Sequence, residues 1–314
     1  MIITVTLNPS IDRTIAVDSL KRGGVNRAEL IQLDAGGKGV NVSRALARYG
    51  AETHAIFVGA QLGGLWFQDV LTGLNVPHTV VMAEGVTRSN ITLVESDGTV
   101  TKINEPGVTL TPSVIAEVQS AMDALPLSGS WVVLAGRLNP GASDSTYLEL
   151  AQFAKARGAR VAVDVSGTPL DVALRGGVVD LIKPNQHELG EIVGRVLVTL
   201  GDVIDAAREV IARGVSTVVC SLGRDGALYI TSEEAVHVEP AVQIQGTPVG
   251  AGDILLATFI GGGANADALV GAVQWSAASV ALPGTAIPTA EQAAAVPVTR
   301  HADLLPARQL LEVS

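Results

Sequence analysis

The sequence predicts an α/β protein: one central, mostly parallel sheet with helices on both faces, and a small β lid beside it. Three observations point there. Short runs that are apolar on both faces alternate with amphipathic, helix-like segments along most of the 314 residues, which is how a covered parallel sheet reads. Hydrophobic residues make up 47% and charged residues 17%, so the chain can build a large core and is not a charged, core-less ensemble. Two stretches, about 14–33 and 88–108, break the rhythm with shorter alternating patterns suited to a second sheet.

The elements follow in order. Residues 2–7 read as the first strand, ending at Asn8-Pro9. Residues 39–49 show helical spacing and stop at Gly50. A strand over 53–58 and a helix over 65–74 come next. The 91–95 and 99–103 runs flank Asp97-Gly98, a strong hairpin signal. Strands over 131–134 and 161–165 bracket a helix over 143–157 closed by Gly158. A short strand at 181–182, a helix over 203–213 closed by Gly214 and a strand over 215–220 complete the pattern. Residues 268–290 carry no charge. They include Gln274, Pro283, Gly284 and Pro288, so a buried helix ending at a Pro-Gly turn fits better than a membrane span. The Ala-rich 286–296 stretch reads as a loose loop. No repeat or inter-domain linker appears, so 1–314 is expected to form a single domain with its lid.

Composition narrows the function. Aromatic residues are only 3%, so the core is built from Ala, Val, Leu and Ile. Lys and Arg total 21 against 31 Asp and Glu, a net charge of −10. That argues against a general nucleic-acid binder, which needs a basic surface. It leaves room for a small anionic ligand held by a few cations. Cys220 is the only cysteine, which excludes a disulfide framework and a Cys-based zinc cluster; within 217–220 it reads as a buried strand thiol. The first residues lack the basic start of a signal peptide, and a cytoplasmic protein is expected. His54, His78, His187, His237 and His301 show no paired metal-ligand spacing.

Six segments carry residue types suited to chemistry. Asp34-Ala35-Gly36-Gly37-Lys38-Gly39-Val40-Asn41 joins glycines, which let backbone approach a ligand, to a helix start with unpaired N–H groups. It is not a Walker A loop, because Gly39 follows Lys38. Lys38 and Asn41 lie one turn apart and share a face. Gly250-Ala251-Gly252-Asp253 leads into an apolar helix, forming a nest for an anion with a carboxylate inside it. There Asp253 serves either as a general base or only as a partner of the helix dipole. Lys183-Pro184-Asn185-Gln186-His187-Glu188 places Asn185 and Glu188 on one helical face. They suit either magnesium and phosphate ordering or a plain capping box. Thr87-Arg88-Ser89-Asn90 offers an arginine for phosphate. Ser221-Leu222-Gly223-Arg224-Asp225-Gly226 and Asn8-Pro9-Ser10-Ile11-Asp12 end strands, where ligands bind in such sheets; turn chemistry is the alternative for both.

Taken together and in order, these segments resemble the ribokinase-like superfamily, specifically the phosphofructokinase B family. Gly36-Gly37-Lys38-Gly39-Val40-Asn41 and Gly250-Ala251-Gly252-Asp253 carry most of the resemblance, supported by Asp164-Val165-Ser166-Gly167. The lysine in the Gly-Gly-Lys-Gly run points to the branch acting on phosphorylated ketohexoses. The resemblance implies a ribokinase-like three-layer sandwich and ATP-dependent phosphorylation with Mg²⁺. The implied reaction converts fructose 1-phosphate to fructose 1,6-bisphosphate. Tagatose 6-phosphate or fructose 6-phosphate are alternative acceptors, and a weakly catalytic sugar-phosphate binder is a further alternative.

By the same resemblance, Asp253 deprotonates the acceptor hydroxyl while the N–H groups of Gly250, Ala251 and Gly252 hold developing charge. Asp12, Gly36, Gly37, Asn41 and Asn90 belong to the sugar site, and Lys38 and Arg88 hold the existing phosphate. Lys183, Asn185, Ser221, Gly223 and Gly226 line the nucleotide site, and Asn185 with Glu188 orders Mg²⁺. The expected partners are a sugar phosphate and ATP, with no nucleic acid and no membrane; a homodimer through the lid is expected. The chain departs from the family pattern at Arg137 (for Ser), Asn139 (for Pro), Val165 (for Thr), Ile254 and Thr258. Arg137 either adds a cation at the sugar phosphate or crowds it.

Overall fold

A computed structural model describes residues 1–311. A ten-stranded sheet runs, in spatial order, through Val298–Arg300, Ala235–Pro240, Ala227–Ile230, Thr217–Ser221, Leu181–Ile182, Arg160–Asp164, Trp131–Ala135, Ile2–Thr6, Thr53–Ala60 and His78–Val86. The seven strands from Thr217–Ser221 to His78–Val86 are parallel. The other three extend the sheet antiparallel.

Strand residues alternate between two buried layers. On one face Ile3, Val5, Ile56 and Val132 meet Val118, Met122, Leu150 and Val203, carried by helices Pro112–Asp123, Thr146–Lys155 and Leu200–Ile211. On the other face Ile2, Trp131 and Val133 meet Leu46, Leu256, Phe259 and Trp275, from helices Lys38–Tyr49, Ala251–Gly261 and Ala268–Val280. The inner strands, apolar on both faces, are covered twice, whereas the edge strands His78–Val86 and Val298–Arg300 are partly exposed. Among the described residues no helix is long and apolar enough to cross a membrane.

The second sheet is the lid, in the order Leu30–Gly36, Ser10–Val17, Ser89–Glu95 and Val100–Asn104. The hairpin at Asp97-Gly98 forms as expected, with antiparallel pairing of Ile91 with Ile103. The lid boundaries need correction. Its first strand begins at Ser10 and the second ends at Gly36, because Ser10 pairs with Gly36 and Asp12 with Asp34. The 286–296 stretch is also not all loop: Ala290–Ala294 is a helix, fixed by a capping box between Thr289 and Gln292.

Strand order reverses beside Ile2–Thr6. The chain first adds Thr53–Ala60 and His78–Val86 on one side and later Trp131–Ala135 on the other. The crevice at the carboxyl ends of strands next to such a reversal is where open α/β sheets bind ligands. The lid stands over that edge: the Arg88 guanidinium donates from Nε to the Asn8 carbonyl at 3.2 Å, and the Asn8 amide donates to the Pro106 carbonyl at 3.0 Å.

Candidate active site

The floor of the site is built around Asp253, in the first turn of Ala251–Gly261. Gly250 precedes that helix at φ 79°, a left-handed conformation that glycine adopts without a Cβ penalty. The helical ladder begins where the Ile254 N–H donates to the Gly250 carbonyl, and the Ala251 N–H is taken by the Pro248 carbonyl at 3.1 Å. Of the three expected donors, Ala251 spends its N–H inside the turn. Gly252 lies close to Lys183, whose Nζ would sit 3.0 Å from any added Cβ.

Asp253 is buried, and its Oδ2 accepts a 2.8 Å hydrogen bond from the Asn41 amide. Asn41 Oδ1 accepts in turn from Arg44 Nη1 at 3.3 Å, and the same nitrogen donates to the Ala35 carbonyl at 2.9 Å. Burial, followed by the negative charge of Asp164, pushes the Asp253 carboxyl up to about 6 against the pull of Asn41, Lys38 and Lys183.

Asp164, at the end of Arg160–Asp164, is 2% exposed. Lys38 Nζ lies 2.9 Å from its Oδ1, and Lys183 Nζ lies 3.7 Å from its Oδ2. Burial alone would raise this carboxyl, but the two ammonium groups outweigh it and hold Asp164 below the usual carboxylate range. Burial likewise works against the Lys38 ammonium, and Asp164 outweighs it, keeping Lys38 charged. Asp164 thus holds two cations whose charges both act on Asp253.

On the lid, Asp12 Oδ1 accepts from the Ser10 hydroxyl at 2.7 Å and the Asn90 amide at 3.0 Å. Burial raises the Asp12 carboxyl despite these two bonds. Arg88 Nη1 donates to Asn90 Oδ1 at 3.1 Å, so Arg88, Asn90 and Asp12 form one chain. Gly36 packs against Asp12, with no room for a side chain between them, and Gly37 fits against Pro9 and Thr6.

Behind the floor a cleft of about 1310 Å³ runs from Lys38, Lys183 and Asp253 to Ser221, Gly223 and Gly226. Asn185 caps helix Gln186–Val193: its Oδ1 accepts from the Glu188 N–H at 2.8 Å, and its own N–H donates to Glu188 Oε2 at 2.9 Å. The capping-box reading of this pair is therefore realised. Each side chain keeps further polar capacity facing the cleft, since both residues line it.

The structure thus brings Asp253, Gly250, Ala251, Gly252, Lys38, Lys183, Asn185, Glu188, Ser221, Gly223 and Gly226 to one crevice, with Asn41 hydrogen-bonded to Asp253. Asp12, Gly36, Arg88 and Asn90 gather on the adjoining lid. Arg137 is exposed and lines a separate hollow of about 320 Å³ with Gly136, Tyr147 and Ser166. It is close enough to Arg88 for its charge to lower the Arg88 pKa, after burial. Two residues carry no assigned role in the sequence reading. Arg44 follows Asn41 by three positions, one turn on, a signal available in the sequence. Asp164 stands in the sequence only as the first residue of Asp164-Val165-Ser166-Gly167, one of the segments behind the family resemblance, with no role attached to it.

A buried carboxylate at a helix N-terminus, two lysines and a long cleft define a phosphoryl-transfer site. The model of the pfkB family carbohydrate kinases matches residues 5–291. The 1-phosphofructokinase of Xanthomonas campestris is 38% identical over 260 residues, 81% of each chain. The ATP-dependent 6-phosphofructokinase isozyme 2 of Escherichia coli is 35% identical over 257 residues, 81% of this chain and 83% of that one. The crystal structure of phosphofructokinase-2 from Escherichia coli in complex with potassium superimposes with a TM-score of 0.88 at 31% identity, covering 94% of this chain and 97% of that one. The chain belongs to the pfkB family of carbohydrate kinases, and its fold is the ribokinase-like sandwich expected. Membership implies transfer of a phosphoryl group from ATP.

Proposed function

We propose that this chain, as one domain with its lid, transfers the γ-phosphoryl group of ATP to the 6-hydroxyl of fructose 1-phosphate in the cytoplasm. The products are fructose 1,6-bisphosphate and ADP. The observation that carries this reading is Asp253, with its pKa raised to about 6 beside the Gly250–Gly252 turn. The acceptor hydroxyl gives its proton to the Asp253 carboxylate as its oxygen bonds to the γ-phosphorus, and the bond to the β-phosphate oxygen breaks. A base with a pKa near the working pH suits that transfer. The N–H groups of Gly250 and Gly252, with Lys183, face the developing negative charge.

Asp12, Gly36, Gly37, Asn41 and Asn90 orient the sugar hydroxyls, while Arg88 and Lys38 hold the phosphate already present. Arg137 adds a long-range cation there. Ser221, Gly223 and Gly226 line the nucleotide site. No group of three or more His, Cys, Asp or Glu among the described residues could hold a metal alone. Asn185 and Glu188, which line the cleft, would hold Mg²⁺ beside the ATP phosphates. When bound it supplies charge neutralisation across the phosphates.

The test is a coupled ADP-release assay with MgATP and four acceptors: fructose 1-phosphate, fructose 6-phosphate, tagatose 6-phosphate and fructose. Preference for fructose 1-phosphate is expected. Preference for fructose 6-phosphate would align the chain with the Escherichia coli isozyme. Sugar-phosphate binding with no ADP release would mark a non-catalytic binder.

A homodimer through the lid belongs to the same proposal. Cross-strand register puts Leu33, Arg13, Ile91 and Ile103 in one row, next to the Asp34–Asp12–Asn90–Asn104 row and so on the opposite face. Leu33 is 47% and Ile103 56% exposed, an apolar face suited to a second copy. Light scattering should give a dimer that Ile103→Lys disrupts; a monomeric parent ends the idea.

A further inference from the structure

The proposed reaction leaves the segment after the last strand, 301–311, without a role. It crosses the start of helix Leu200–Ile211, where the Gly201 N–H donates to the Pro306 carbonyl and the Leu200 N–H to the Arg308 carbonyl, both at 2.9 Å. Leu310 is buried in the core, anchoring the far end.

From there the segment grips the 3₁₀ turn Gly223–Asp225. Asp225 is 1% exposed, so a carboxylate sits there almost without solvent and needs partners. The segment supplies them. Arg308 Nη2 donates to Asp225 Oδ1 at 2.7 Å, and the Leu311 N–H donates to Oδ2 at 2.7 Å. Arg308 also pairs with Glu239.

The other side of the turn is held as well. His237 Nε2 lies 2.7 Å from the Asp225 carbonyl, and the His237 ring stacks on His301 with centroids 4.8 Å apart. Gly226 has φ 79°, and its missing side chain would strike the Val238 carbonyl and Glu239 Cα. Backbone on that side cannot yield, so the position of the turn is set by what clamps it. Ser221, Gly223 and Gly226 line the cleft beside Val196, Val242 and Leu311. Leu311 is 67% exposed, an apolar side chain at the rim of that cleft.

We propose that the C-terminal segment is a working part of the nucleotide site. Arg308 is a positioning residue that fixes the Gly223–Gly226 turn through Asp225, and Leu311 supplies an apolar wall for the base of the nucleotide. The inference rests on the reading that ATP lies against Ser221–Gly226.

The experiment combines steady-state kinetics of Arg308→Met, Arg308→Lys and Leu311→Ala with hydrogen exchange of the unaltered protein, with and without ATP. Arg308→Met should raise the KM for ATP about tenfold, equivalent to about 1.4 kcal/mol. The KM for fructose 1-phosphate and kcat should stay within about twofold, and Arg308→Lys should restore part of the loss. Leu311→Ala, at an exposed position, should fold normally and raise the KM for ATP about threefold. If Arg308→Met does not fold, Leu311→Ala decides the matter. Unchanged KM for ATP in the folded variants, with ATP protecting 222–226 in the unaltered protein, overturns the role of the segment. Absence of that protection overturns the nucleotide placement itself.

Discussion

The floor and the lid hold their charged side chains in different ways. On the floor, charges balance charges: Asp164 sits between Lys38 and Lys183, and Asp253 feels all three. On the lid the partners are neutral. Arg88 donates to the carbonyl oxygens of Asn8 and Glu105 and to the Asn90 amide, and Asp12 accepts from a hydroxyl and an amide. In a dry site, removing one member of a charge set disturbs the others. Neutral partners instead orient Arg88 while leaving its charge unneutralised by contact. Floor substitutions should therefore change the chemistry or the fold, and lid substitutions should change binding.

The sharpest test of that division is Asp253→Asn. It should lower kcat by about 10²–10⁴, the range for general-base assistance, while fructose 1-phosphate still binds by calorimetry. The pH dependence sharpens it further. The base form is lost as pH falls through about 6, so kcat/KM should drop on that acid limb. Stability runs the other way. A carboxyl raised from 3.8 to about 6 on folding binds its proton more tightly folded than unfolded. The folded chain therefore gains stability from this group as pH falls across that window. Asp253→Asn should remove both trends; an acid limb that persists in the residual activity assigns the base elsewhere.

Asp164→Asn comes next. It leaves the ammonium groups of Lys38 and Lys183 facing each other without their shared counter-charge. Breaking a buried pair from one side costs about 3–5 kcal/mol, which chemical denaturation would register as a lower midpoint with the slope unchanged. A variant as stable as the parent would mean that the floor charges are solvated rather than mutually dependent. On the lid, Arg88→Ala should weaken fructose 1-phosphate binding by about 1.5–3 kcal/mol, the contribution of hydrogen bonds to a charged group. The KM for ATP and the melting temperature should hardly move. A fall in ATP affinity instead would place Arg88 on the wrong side of the reaction.

Much of this contrast could be read before any coordinates. Buried parallel strands such as 131–134 and 161–165 are apolar over most of their length, so their runs stand out, and Gly250–Asp253 combines small residues with a carboxylate in a way few turns need. What stayed hidden depended on contacts between distant residues. Lys38 meets Asp164 across 126 positions, and Asn41 meets Asp253 across 212. The lid strand from Ser10 read as a turn because Pro9 and Asp12 favour turns; only its pairing with Gly36 and Ser89 makes it a strand. Ala227–Ile230 and Ala235–Pro240 were missed because each is short and gains its stability from its neighbour in the sheet. The helix over Ala290–Ala294 carried a capping signal that its alanine-rich composition obscured.

Arg44 tests the boundary between the two regions with the smallest effect. Its Nη1 joins the Ala35 carbonyl at the end of a lid strand to Asn41, and Asn41 holds Asp253. The same nitrogen lies 3.3 Å from Thr285 Oγ1, so one guanidinium ties lid, base and the 283–286 turn together. Arg44→Lys keeps the positive charge, but its side chain is one atom shorter and its ammonium stops short of the point where Nη1 meets those three acceptors. Asn41 would then be held less firmly, and its hydrogen bond is one of the influences that lower the Asp253 pKa. The acid limb of kcat/KM should therefore move upward in pH, while kcat on the plateau falls about threefold, near 0.6 kcal/mol. A purely structural role for Arg44 would lower the melting temperature and leave the limb in place. Movement of the limb without loss of stability is the outcome that makes lid and floor one machine, coupled through a side chain that contacts neither substrate nor reacting atoms.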